Sequence, residues 1–122
     1  MVELAMDRDA YEAWFGTLSL LDRAFALLAI MHSLTVSMRS ILIDYPDDAE
    51  TRWRLAYKIS EMNHAFTSAA QSAIYGELSY SDDDLIGILL EHPNNPELEH
   101  EGWIALDSAY RVVNMNQKNA RH

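Results

Sequence analysis

Apolar residues recur along this chain at steps of four and three, the spacing that keeps them on one side of an α-helix. The longest such run lies between Ser19 and Asp44, where Leu20, Ala24, Leu27, Met31, Leu34, Met38 and Ile41 share a line. Leu21, Phe25, Leu28, His32 and Val36 add a second apolar flank. Only Ser19, Asp22, Ala26, Ala29, Ser33, Ser37 and Ser40 remain as a narrow polar or small line. A helix this apolar is predicted to be central and covered on more than one side.

The neighbouring segments read the same way. Asp9-x-x-Glu12 predicts a capped first helix with Tyr11, Trp14 and Phe15 as its aromatic face and Gly16 at its end. Ser19-x-x-Asp22 opens the central helix, and Tyr45-Pro46-Asp47-Asp48 stops it, because proline disfavours helical geometry at the residue before it. Asp47-x-x-Glu50 caps a long helix expected to run from Asp48 to Tyr75 and end at Gly76, with Leu55, Ile59, Met62, Phe66, Ala69 and Ala73 inward.

Ser81-x-x-Asp84 caps a short helix carrying Leu85, Ile86, Leu89 and Leu90, which Pro93 ends. Asn95-Pro96 starts the last helix, since proline at the first helical position loses nothing by lacking an N–H. That helix has Leu98, Gly102, Leu106, Ala109 and Val113 inward, with Trp103 and Tyr110 beside them, and its polar end from Asn114 is expected to fray. No stretch alternates at strand length. The fold expected is all-α: one domain over residues 1–122, a four- or five-helix bundle built on an antiparallel hairpin of the two long helices.

Composition narrows the chemistry. At 122 residues the chain can bury a core without staples, and with no cysteine it has no disulfide, thiolate ligand or cysteine nucleophile. The start lacks a basic leader, and the longest uncharged run of the central helix, between Arg23 and Arg39, is shorter than the ~20 residues a bilayer needs. The expectation is a cytoplasmic protein with no membrane span. No Gly-x-Ser-x-Gly, Ser-x-x-Lys set or glycine-rich phosphate loop is present, so no enzyme and no cofactor are expected.

Charge changes the picture most. The net charge is −10, and Ile59 to Tyr110 contains no Lys or Arg yet carries acids that account for all of it. Asp82, Asp83, Asp84 and Glu91 belong to one short helix, and Glu97, Glu99 and Glu101 begin the next. Acids at helix starts favour the dipole there, but segregation of this degree also creates a field that attracts basic partners and repels nucleic acid.

Four other constellations invite chemistry. Glu61-x-x-His64 and Glu97-x-x-His100 resemble spacing used in di-iron bundles, but His64 lies about 180° from its helix's apolar line and no inward Glu of the central helix completes a set. Glu91-His92 to Glu101 gathers acids and histidines around a turn without an ordered cation-loop pattern. His32 lies on an apolar flank, where packing is the commoner role. Arg52-Trp53-Arg54 with Tyr57 and Lys58 gives an aromatic, basic patch; stacking aromatics beside cations can bind single-stranded nucleic acid, but packing against another helix or a protein interface is the commoner role.

The reading that follows is a small, acidic, non-enzymatic protein-binding module. Its expected partner is a basic, nucleic-acid-binding surface of another protein, bound through Asp82, Asp83, Asp84, Glu91, Glu97, Glu99 and Glu101, with Trp53 and Tyr57 as a further contact face or homodimer contact. Inhibitors, immunity proteins and anti-CRISPR proteins share this profile of size and acidity as a class. A ferritin-like metal-binding protein and a homo-oligomeric structural subunit are the alternatives.

Overall fold

The structure, a computed structural model, describes residues 6–44, 48–74 and 81–120. It is all-α: α1 (Arg8–Thr17), α2 (Leu20–Asp44), α3 (Ala49–Ile74), α4 (Asp82–Leu90) and α5 (Pro96–Ala120). Tyr45, Pro46, Asp47, Tyr75 and Gly76, named above as helix stops and a cap, lie outside the described residues.

Local signals set the helix starts. Ser81 and Asp84 close a full capping box on α4, each side chain holding the other's backbone N–H. The Asp22 N–H donates to Ser19 Oγ at 3.1 Å at the opening of α2. Two starts differ from expectation. α1 begins at Arg8, capped by Asp7, whose carboxylate accepts the Ala10 N–H at 2.8 Å. α3 is capped by Asp48, whose Oδ1 accepts the Thr51 N–H at 2.8 Å; that bond holds the Asp48 carboxyl below its ordinary range. α1 runs through Gly16 to Thr17, and α5 stays helical to Ala120 rather than fraying from Asn114.

α2 packs along both α3 and α5, while α4 fills the space against α5, α3 and α1. The core is continuous: Tyr11 and Phe15 of α1, Leu27, Ile30, Leu34 and Ile41 of α2, Ile59, Met62 and Phe66 of α3, Leu85, Ile86, Leu89 and Leu90 of α4, and Leu98, Leu106 and Val113 of α5. Buried alanines, Ala26, Ala56, Ala69, Ala70, Ala105 and Ala109, let backbones approach closely.

The central helix departs from its predicted covering. Ala26, read as part of the narrow polar or small line, is fully buried. The flank of Leu21, Phe25, Leu28, His32 and Val36, read as covered, is exposed instead. The reason is geometric: that flank lies about 180° around α2 from Ile30 and Ile41, and α3 and α5 both meet α2 from the core side. α2 is also long and apolar enough to cross a membrane by length and composition, with a mean hydropathy of 1.6 in its most apolar window. Here it is the helix the bundle is built on.

Candidate functional site: an apolar groove with an acidic rim

Each acidic residue singled out from the sequence has a definite place, and several are occupied internally. Arg23 pairs with Asp82. Arg8 Nη2 donates to Asp83 Oδ1 and to Glu91 Oε1, each at 3.1 Å, tying α1 to both ends of α4. Asp84 is engaged in the capping box. The acidic start of α4 is therefore partly neutralised by two arginines from elsewhere in the chain.

The start of α5 differs. Glu97 and Glu99 are exposed in its first turn, and Glu101 accepts the Ser37 hydroxyl of α2. Arg23 and Ser37 mark where the two acidic starts meet α2, about 21 Å apart along that helix. They form two separate surfaces. Trp53 and Tyr57 lie on α3 and are each 66% exposed.

Beside Glu97 and Glu101 opens a cavity of about 730 Å³. Its apolar lining comes from Val36 and Ile41 of α2, Leu55 and Ile59 of α3, and Leu98 and Ile104 of α5. Asp44, Glu97 and Glu101 supply carboxylates, with His100, Ser37 and Ser40 between them; among the described residues no Lys or Arg lines it. Nearby, Lys58 is turned toward the α5 start, donating to Asn95 Oδ1 at 2.9 Å.

Comparison with known family models, curated proteins and solved structures returned no match to this chain.

The chemistry of the groove must therefore be read from its own atoms. Among the described residues no three His, Asp or Glu side chains converge on one point as metal ligands would. Glu61, His64, Glu97 and His100 are all exposed, so neither Glu-x-x-His pair points into the bundle. Apolar walls release water when an apolar group enters, and carboxylates at the mouth attract cations. A groove of this composition suits an apolar side chain flanked by Lys or Arg.

Of the groove's residues, sequence reasoning had singled out Glu97 and Glu101 as site residues. Val36, Ser40, Asp44 and Ile104 were missed as site residues. Ser37 and Ser40 continue the narrow polar or small line of α2, which by itself marks no groove.

Proposed function

We propose that this chain is a small, non-enzymatic protein-binding module, of the inhibitor or immunity type, that docks a basic partner protein at the α2–α3–α5 groove. The observation that carries this reading is the lining: an apolar floor, carboxylates of Asp44, Glu97 and Glu101, and, among the described residues, no Lys or Arg. An apolar anchor in a desolvated pocket, ringed by complementary charge, is how small modules concentrate binding energy. Glu99 widens the acidic approach, whereas Asp82, Asp83 and Glu91 contribute less because Arg8 and Arg23 already screen them.

Selection of a random peptide display library on the purified protein tests the proposal. Enriched peptides are expected to share an apolar residue with Lys or Arg within two positions, and to lose binding to the Glu97→Lys/Glu101→Lys variant. Enrichment of neutral or acidic peptides, or binding indifferent to the variant, would reject it.

A further inference from the structure

The outer face of α2 is an apolar surface that the described residues leave uncovered. Leu21, Leu28 and Ile43 are 66%, 61% and 68% exposed, and Phe25 and Val36 stand between them. Together with His32 and Arg39 they form one straight line, because steps of four and three keep the same bearing on a helix. The line runs about 33 Å.

Its order is self-complementary. About His32 the positions mirror one another: Leu28 with Val36, Phe25 with Arg39, Leu21 with Ile43. Laid antiparallel on a copy of itself with His32 on the two-fold axis, the line sets apolar on apolar at two of these three pairs. At the third it sets Arg39 against the Phe25 ring, a favourable cation–aromatic contact. A two-fold interface demands this kind of self-match, and an unrelated partner does not.

Charge selects the same occupant. A molecule of net charge −10 repels its own copy over most of its surface. Between Arg23 and Arg39, α2 has no carboxylate, so the centre of this line, from Phe25 to Arg39, can meet its copy without like-charge contact; Asp22 and Asp44 flank only its ends. For the same reason nothing on the line recruits a basic protein. At its edge Asn63 of α3 donates to Thr35, and the exposed Trp53 and Tyr57 lie further out on that helix.

We infer that a second copy of this chain docks on the outer face of α2, antiparallel, with His32 at the two-fold axis. The inference is independent of the groove, which opens on another side of α2 and shares only Val36 with it. Helices packed 8–10 Å apart bring facing Cα atoms on such an axis to about 3.5–5.5 Å, within disulfide reach.

Cysteine cross-linking of the full chain reads this directly, because the natural sequence has no cysteine. His32→Cys is expected to form a covalent dimer on mild oxidation. Leu21→Cys alone is expected not to do so, and Leu21→Cys/Ile43→Cys is expected to cross-link. Light scattering should give twice the 13.9 kDa chain mass. Leu28→Glu should weaken the dimer at least 100-fold with unchanged helicity.

A monomeric mass with no His32→Cys cross-link would overturn the inference. So would cross-linking of Leu21→Cys by itself, which marks a parallel pair. A dimer indifferent to Leu28→Glu, or a monomer that instead partitions into phosphatidylcholine vesicles, would also overturn it.

Discussion

Gly102 of α5 lies against the backbone of Leu89 in α4. A Cβ at Gly102 would overlap the Leu89 carbonyl oxygen and stand 2.8 Å from its carbon. The contact is backbone to backbone, so no side chain can move aside. Gly102→Ala is expected to lower stability by about 1–3 kcal/mol or more, despite alanine's better helix propensity. Gly16→Ala is the control: nothing lies within 4 Å of a Cβ there, and stability should rise by up to about 1 kcal/mol. Chemical denaturation of both variants checks the pair.

Tyr11 is fully buried, and among the described residues its hydroxyl has no hydrogen-bond partner. Burial pushes the phenol up to about 12, with the Asp107 charge adding to the effect. In the unfolded chain the phenol ionises near its ordinary value of about 10, so the folded state holds the proton longer. Stability is then complete below pH 10 and falls between pH 10 and 12, by about 2–3 kcal/mol. Tyr11→Phe should remove that alkaline loss. At pH 7 it should be neutral or stabilising, because no hydrogen bond is given up. Stability against pH for the two proteins distinguishes these outcomes.

Arg8 bridges Asp83 and Glu91 across the bare backbone of Gly87, where an added Cβ would meet Glu91 Oε2 at 3.1 Å. The groups are partly exposed, so each pair contributes about 0.2–1 kcal/mol. Arg8→Gln is expected to cost about 1 kcal/mol at low salt. The cost should shrink at 1 M salt, where charges are screened within about 3 Å. Unfolding at two salt concentrations measures it.

Leu27 of α2 and Phe66 of α3 are both fully enclosed. Leu27→Ala or Phe66→Ala should each lower stability by about 2–5 kcal/mol through lost burial and the cavity left behind. A near-neutral result at both would contradict the packing described.

The helix interiors were legible because their signals are local. Ser81 with Asp84, Asn95 with Pro96, and the inward line Leu98–Gly102–Leu106–Ala109–Val113 all appear where the sequence puts them. The α1 start was misread by two residues because Asp7 and Asp9 are equally good caps on composition. Ala26 was misread because an alanine suits a close-packed helix contact as well as a solvent face.

The outer line of α2 was expected to be covered, since periodicity shows which faces are apolar and not how many neighbours a helix has. Neutralisation of the acidic α4 start was not legible at all. Its arginines come from 59 and 75 residues away in sequence, for Arg23–Asp82 and Arg8–Asp83. Beyond Glu97 and Glu101, singled out for their charge, the groove had no sequence signal, because its lining comes from three helices distant in sequence.

The groove is the central claim, and affinity against salt tests it most directly. A peptide carrying one leucine or isoleucine flanked by two lysines, fluorescently labelled, would be titrated with the natural protein and with Glu97→Lys/Glu101→Lys. Binding is expected to weaken several-fold from 0.05 to 0.2 M salt, as screening shortens the reach of the rim carboxylates. The charge-reversed protein should bind at least 10-fold more weakly. Replacing the peptide's apolar residue by serine should cost a similar factor. Equal affinity for both proteins, or affinity unaffected by salt and by the loss of the apolar residue, would contradict the account.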